Sequence, residues 1–297
     1  MHMTITGSLG NIGRELAARL IAKGHQVTVI SHDPNRAEAI RTIGAQPAIG
    51  SVEDADFLTR AFTGADAVYL MIPPRFDATN TRVYMTTVAG AYANALTQAG
   101  VRYAVNLSSV GAHLPDGPGP TGTNYHIEAM LDALADVHVL HLRPGLFYTN
   151  FYGSIPVIRH QHVLGNNFDA AVPMLLTDPR DIAEEAARAM DILDFKGKSA
   201  RYVVSDEKDG GEVAALLGQA IGQTGLPWIQ LSDKDLLGGL VAGGFSPDAA
   251  SVYVVGIGAG LREGVLFEDY RRQPKTTTDR IRFEAFAREF GEVYRNS

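Results

Sequence analysis

The chain has 297 residues and no cysteine. That excludes a disulfide framework, a thiol nucleophile and a thiolate metal site, and it is compatible with the cytoplasm, where this protein is expected. Basic residues are outnumbered, and the formal net charge is −7. A nucleic-acid surface needs excess cations, so no nucleic-acid partner is expected. No apolar run approaches the roughly 20 residues of a membrane span. The N-terminus enters a β-branched run directly, with no leader pattern, so no membrane partner is expected either. Tryptophan occurs once, as Trp228, and reads as packing. The two closest histidines, His160 and His162, have no third histidine or carboxylate at ligand spacing, so no metal is expected. Repeats, low-complexity tracts and runs of like charge are absent. The most consequential scarcity is lysine: none stands between Lys23 and Lys196.

What the chain does have begins at once. Met3-Thr4-Ile5 reads as a strand, and Gly7, Gly10 and Gly13 follow at spacings of three. An amphipathic segment then presents Leu16, Ala17, Leu20 and Ile21 on one face. Strand, tight turn and helix in that order make a dinucleotide-binding start. Gly7 permits the turn, Gly10 lets a diphosphate approach, and Gly13 lets the helix pack close. The helix N-terminus offers N–H groups and a positive dipole end to an anion. Gly7, Ser8, Leu9, Gly10, Asn11, Ile12 and Gly13 are therefore cofactor candidates.

Strands at Gln26–Ile30, about 47–50, Ala65–Ile72, Arg102–Leu107 and Val137–Leu142 alternate with helices up to residue 145. The helices are punctuated by Gly24, Gly44 and Gly100, by Asp33-Pro34, and by Ser51 with Asp54. The longest runs from Asn80 to Ala99, and another from Asn124 to Ala135, after a Gly/Pro-rich loop at 113–122. This alternation predicts an α/β fold with a doubly wound parallel (Rossmann) sheet, whose ligand crevice lies at the carboxyl ends of its strands. Ser31, His32, Arg36, Ser51, Met71, Ile72, Pro73, Ser109 and Pro144 stand at those ends and join the cofactor candidates.

Beyond Gly145 the alternation loosens. Val172–Leu176 and Arg201–Val204 read as strands, the second as the last of the main sheet, and Asp178 caps a helix running to about Leu193. Helices are expected at Glu212–Gly222, Asp233–Val241, Pro247–Val255 and Thr278–Tyr294. Residues 1–150, with return segments at about 172–205, form the Rossmann domain. Residues 151–171 and 206–297 form a smaller, mostly helical C-terminal lobe. Gly238-Gly239 and Gly243-Gly244 mark a mobile segment there, a candidate lid.

The opening Thr6-Gly7-x-x-Gly10-x-x-Gly13, Ser108-Ser109 after the fifth strand, Tyr125-His126-Ile127-Glu128, Leu142-Arg143-Pro144-Gly145 and the Asp178-x-x-Asp181-Ile182-Ala183 helix together resemble the NmrA-like family of atypical short-chain dehydrogenases/reductases. The His-Ile-Glu segment and Arg143 to Phe151 are similar to its NAD(P)H:quinone oxidoreductase-like branch. The resemblance spans essentially the whole chain and implies an NAD(P) cofactor. Other branches are redox-sensing regulators that bind the cofactor without turnover.

Ordinary short-chain dehydrogenases use Tyr-x-x-x-Lys, where lysine lowers the tyrosine's pKa. Here Tyr125 has Ala129 four residues on, and Tyr69, Tyr84, Tyr92 and Tyr103 also lack a lysine at that spacing. Reduction of a quinone or similar conjugated carbonyl is less demanding, because the oxygen anion it makes is a weak base. Tyr125, His126 and Ser108 are the catalytic candidates. His126 either lines the cleft or caps its helix. Arg143 reads as structural, and Leu146-Phe147-Tyr148 as a substrate wall. At the end of the second strand Ser31 and His32 replace the usual ribose-binding acid. With Arg36 and Arg14 nearby, NADPH is favoured over NAD. Ser51 stands where the family commonly has an adenine-binding Asp. The expectation is an NAD(P)H-dependent reductase of a small quinone-like substrate, with a pocket walled by Met71, Pro73, Tyr125 and Phe147. The alternative is an NAD(P)-sensing regulator acting through a protein partner. A homodimer also stays open.

Overall fold

Seven strands lie parallel in one sheet, and their residues explain why. Ala67–Leu70 is buried at every position, as a strand covered on both faces must be. The computed structural model describes residues 1–273 and 280–297. In chain order the first six strands are β1 (His2–Ile5), β2 (Gln26–Ser31), β3 (Gln46–Ile49), β4 (Ala67–Leu70), β5 (Tyr103–Leu107) and β6 (His138–Pro144). Three short strands follow, β7 (Leu146–Phe147), β8 (Leu164–Asn166) and β9 (Pro173–Thr177), and then β10 (Lys198–Val203), β11 (Asp206–Asp209) and β12 (Trp228–Gln230). The main sheet runs β10-β6-β5-β4-β1-β2-β3. β1 pairs with β2 on one side and β4 on the other, so the strand order reverses there and the glycine turn after β1 opens at the switch point.

Helices cover both faces. On one lie α1 (Gly13–Ala22), α2 (Ala37–Thr42) and, after β9, the helix Pro179–Ile192; Leu16, Leu20, Ile40, Ile182 and Met190 fill that layer. On the other lie α3 (Ala55–Phe62), α4 (Thr81–Gln98) and α5 (Thr121–Asp132), with Leu58, Phe62, Tyr92, Ile127 and Leu131 inside. The local signals hold. Asp54, Asn80 and Asp178 accept hydrogen bonds from the first turns of their helices. Gly24, Gly44 and Gly100 take positive φ at the helix ends.

The Pro179–Ile192 helix on the main sheet is α7; the rest of the chain builds the C-terminal lobe with α6 (Ile155–Gln161), α8 (Gly210–Ile221), α9 (Asp233–Ala242), α10 (Pro247–Ala250), α11 (Gly256–Glu263), α12 (Glu268–Arg272) and α13 (Phe283–Asn296). Its core holds Tyr148, Phe168, Phe283, Phe286 and Phe290. Trp228 packs as expected: its ring lies 5.2 Å from Phe168, and its Nε1 donates to the Phe168 carbonyl at 3.0 Å.

Three expectations are corrected. The strand at Val172–Leu176 forms as β9 but does not return to the main sheet. It pairs antiparallel with β11 and parallel with β7, so β10 alone returns. α5 begins at Thr121 rather than Asn124, because Thr121 Oγ1 turns back to the Pro118 carbonyl at 2.7 Å and extends the helix into the Gly/Pro loop. The helical run from Pro247 passes through a π turn at Ser251–Val255 and continues to Glu263. The sequence places the end of this helix at Val255; beyond it Gly256, Gly258 and Gly260 sit in the continuing helix at close contacts. A Cβ would meet Gly119 Cα at 2.7 Å, Asn167 Oδ1 at 1.6 Å and Pro118 Cγ at 2.5 Å respectively. The expected start of the last helix at Thr278 lies outside the described residues; α13 begins at Phe283.

Two outcomes follow from this packing. Gly258→Ala is expected to destabilise the fold by about 1–3 kcal/mol through overpacking, read from urea denaturation. Glu185 of α7 is bonded by Arg188 at 3.0 Å and by Arg201 of β10 at 2.9 Å. Burial alone would raise its carboxyl, but the two guanidiniums outweigh burial and hold it below the usual carboxylate range. Its folded pKa is depressed, so its contribution is present above the unfolded carboxylate value and is lost as pH falls through the folded one. Glu185→Gln is therefore expected to flatten the acid limb of a stability–pH curve.

Candidate functional site

After β1 the backbone turns at Gly7 (φ +89) and Ser8 (φ +56), both in the left-handed region. A Cβ on Gly7 would stand 2.2 Å from Met71 Cε, and one on Gly13 only 2.1 Å from the Ser8 carbonyl oxygen. Gly13 is thus a close-packing residue, as expected, but what it meets is the turn itself. The turn is bolted on both sides. Ser8 N donates to the Ile30 carbonyl at 3.0 Å, and Ser8 Oγ to Ser31 Oγ at 3.1 Å. Thr6 Oγ1 accepts from Met71 N at 2.7 Å, and Tyr92 donates to the Met71 carbonyl at 2.7 Å. Leu9 and Ile12 are buried beneath the turn, while Gly10 and Asn11 are exposed at its tip. Helices α3, α4, α7 and α8 each start on a side-chain cap; α1 starts at Ile12 with none. Arg14 N turns back to the Gly10 carbonyl at 3.3 Å, and no side chain caps the rest of this first turn, where an anion could be held.

A cleft of about 630 Å³ opens beside this turn. Gly7, Ser8, Ser31, His32 and Ser51 form its floor, and Pro73, Arg75, Phe76, Tyr84 and Gly244 its other walls. Six of the expected cofactor residues thus meet in one place: Gly7, Ser8, Ser31, His32, Ser51 and Pro73. Arg36 is exposed just beyond, 3.9 Å from Asp33. Met71 and Ile72 are half-buried outside its lining, and Ser109 and Pro144 stand at the neighbouring ends of β5 and β6, also outside it. Arg75, Phe76 and Tyr84 escaped sequence reasoning, although Arg75 and Phe76 directly follow the Pro-Pro that ends β4. The Arg75 guanidinium bridges Glu53 at 3.4 Å and Asp77 at 3.5 Å, over the Tyr84 ring. Burial and then Glu53 push the Tyr84 phenol up to about 12, so it keeps its proton and donates to the Pro73 carbonyl at 3.0 Å.

The catalytic candidates separate. Tyr125 and His126 lie in the second turn of α5, exposed, with rings edge-on at 5.3 Å. His126 is therefore not a helix cap. Ser108 is buried at 7% exposure and donates to Glu128 Oε1 at 2.5 Å. Its hydroxyl is engaged by Glu128, and it lies outside the lining of the cleft. Arg143 grips the same carboxylate, Nε at 3.0 Å and Nη2 at 2.6 Å, and its Nη1 reaches Tyr202 Oη at 3.2 Å and Asp269 at 3.3 Å. Burial opposes the Arg143 charge, and Glu128 more than restores it. Arg143 is structural, as expected. Tyr148 is fully buried and donates to the Ile281 carbonyl at 2.8 Å, so it is no substrate wall. Of the expected substrate pocket, Pro73 lines the cleft; Met71, Tyr125 and Phe147 do not. Lysines sit elsewhere: Lys198 donates to the Leu134 carbonyl beyond α5 at 2.7 Å, and Lys23 pairs with Asp191. His113, in the loop after Ser109, has both ring nitrogens buried without a hydrogen-bond partner, and burial lowers its pKa. Among the described residues no group of three or more His, Asp or Glu could hold a metal, and no single helix is long and apolar enough to cross a membrane.

The turn, its uncapped helix and the cleft stand on a Rossmann-like fold, and residues 7–149, just under half of the chain, match the family model for NAD(P)H-binding. Among curated relatives it is similar to the (4-alkanoyl-5-oxo-2,5-dihydrofuran-3-yl)methyl phosphate reductase of Streptomyces griseus, 29% identical over 74% of this chain and 73% of the relative. Among solved structures it is similar to the NADPH-dependent quinone oxidoreductase QOR2 of Escherichia coli complexed with NADPH, with TM-score 0.74, 21% identity, and 98% and 99% of the two chains covered. It is also similar to the Citrobacter sp. triphenylmethane reductase complexed with NADP(H), with TM-score 0.75, 17% identity, and 97% and 99% covered. The two solved structures share its fold.

Arg143→Met leaves Glu128 buried without its counter-ion. It is expected to cost about 3–5 kcal/mol in urea denaturation, and the double variant with Glu128→Gln should recover part of that loss.

Proposed function

We propose that this chain is an NADPH-dependent reductase of a quinone or similar conjugated carbonyl, working by direct hydride transfer without a Tyr-Lys pair. The observation that carries this is α5. Tyr125 and His126 stand exposed on it, no lysine follows at the fourth position, and the nearest serine hydroxyl is sealed against Glu128. When bound, the reduced nicotinamide supplies the hydride. The chain holds the dinucleotide at the Gly7–Gly13 turn and presents neutral donors such as the Tyr125 hydroxyl. A hydrogen bond suffices where the reduced oxygen is a weak base, as in a quinol. The Streptomyces griseus relative is named for an alkanoyl-oxo-dihydrofuran, itself a conjugated carbonyl, and QOR2 for quinones.

The NADPH preference rests on the floor of the cleft. His32 lines it, and Arg36 stands beside it. Asp33, the only carboxylate at the end of β2, is taken up by Asn35 N at 2.9 Å as a cap. The two carboxylates that line the cleft, Glu53 and Asp77, are paired with Arg75, and Ser31, His32 and Arg36 are the donors on the β2 side for a 2′-phosphate. One observation favours the regulatory alternative: the cleft takes in Pro73 but reaches neither Tyr125 nor Phe147, and Phe76 and Val83 are exposed nearby.

NADPH oxidation followed by absorbance, with a simple quinone, separates the two. Wild type should show saturable, quinone-dependent turnover. Tyr125→Phe or His126→Ala should lower kcat/KM by about 10- to 100-fold. Arg36→Ala with His32→Ala should erode the preference for NADPH over NADH by about tenfold. Tight NADPH binding without turnover on any acceptor tried would sink the reductase and support the regulator.

A further inference from the structure

The cleft beside the glycine turn lies at the ends of β2 and β3, the side on which the adenosine half of a dinucleotide rests. Its outer wall is not made by the Rossmann part alone. Gly244, from the corner between α9 and α10, lines the cleft together with Phe76 and Arg75 of the β4–α4 connection. That connection has few supports of its own. Residues 74–77 are exposed; Tyr84 donates to the Pro73 carbonyl, and Arg75 lies over the Tyr84 ring and bridges Glu53 at the surface.

The C-terminal lobe carries the rest. Ser246 N donates to the Phe76 carbonyl at 2.8 Å, and Ser246 Oγ donates to the Ala78 carbonyl at 2.5 Å. The Phe245 ring lies 4.5 Å from Phe76, and the Tyr253 ring meets Phe76 edge-on at 5.8 Å. The Asp248 carboxylate accepts from Thr81 N at 2.6 Å, at the positive end of α4. Gly244 has φ +99, and a Cβ there would meet nothing within 4 Å. It is glycine for its backbone conformation, which brings the corner onto the cleft. The Gly243-Gly244 pair is thus an anchored wall.

We propose that residues 244–248, with Tyr253, are part of the dinucleotide site: they hold the wall over the adenosine half, so affinity for the cofactor depends on docking of the C-terminal lobe. The proposal rests on the dinucleotide reading of the cleft. Its chemistry is positional. The corner itself brings only a glycine to the cleft; what it does is fix Phe76 and Arg75, which the ligand meets. A wall docked only a fraction of the time weakens binding by that same fraction.

The test uses the full chain and calorimetric titration with NADPH and with NADH. Asp248→Ala and Phe245→Ala are expected to raise the Kd of the better-bound cofactor roughly tenfold and to speed its release. In the wild type, the same cofactor is expected to slow amide hydrogen exchange across 244–253, a readout that stands even if a variant fails to fold. Wild-type affinity in both variants, or unchanged exchange at 244–253 while the cofactor binds, overturns the proposal. Failure of the wild type to bind either cofactor overturns the dinucleotide reading itself, and this inference with it.

Discussion

The backbone at Gly7 and Ser8 runs with positive φ, and Gly13 returns close enough to the Ser8 carbonyl that no side chain fits between them. Everything at the site depends on that close return. It sets the direction in which α1 leaves β1, and so aims an uncapped helix end at the mouth of the sheet. Thr6 and Tyr92 transmit the same constraint to Met71, so the ends of β1 and β4 move as one piece. Ser8 ties the turn to the end of β2 through Ser31. Three strand ends are therefore in fixed relation before any ligand arrives, which lowers the ordering cost of binding.

A second constraint lies across the sheet. Arg143 is held by Glu128 and reaches Asp269 and Tyr202, joining α5 to β6, β10 and α12. Removing ions from water is costly, and a carboxylate–guanidinium fork offsets it only with good geometry and further bonds. Both are present, since Ser108 fills a remaining position on Glu128. The network thus fixes the roll of α5 about its axis. With Glu128 turned inward, Tyr125 and His126 are turned outward. The two-residue spacing already puts His126 and Glu128 on different faces of a helix; which of them faces inward is decided by Arg143, fifteen residues from Glu128.

Local chemistry was legible and long-range pairing was not. Glycines in αL positions and Asp or Asn caps announce helix ends from a few neighbouring residues, so Gly24, Asn80 and Asp178 could be placed from the sequence. The alternation of apolar strands and helices gave the parallel sheet for the same reason. By contrast, β9 is as apolar as a main-sheet strand, and only its register with β7 and β11 shows that it belongs to another sheet. The glycines of α11 signal a break to any local rule, yet each answers to a group more than ninety residues distant in the chain: Gly119, Asn167 or Pro118. The site divides in the same way. Its floor comes from residues directly after strands, where the topology says to look. Its outer wall includes Gly244, which no strand end could have indicated.

The placement of charge bears on the chemistry. Near the end of β5 a serine, a glutamate and an arginine are consumed in one buried network, while His113 in the following loop has both ring nitrogens without a hydrogen-bond partner. The lysines that could stabilise an alkoxide are tied up elsewhere, Lys198 on a backbone carbonyl beyond the end of α5 and Lys23 on Asp191. Of the cations near these residues, Arg143 is held by Glu128 and Arg82 by Thr123 at 3.3 Å, while Arg75 lines the cleft. An acceptor that spreads the charge through its own conjugation would need only a hydrogen-bond donor and a fixed cofactor. The structure fixes the turn and the wall of the cleft through Ser8, Thr6 and Tyr92 on one side and Ser246 and Asp248 on the other.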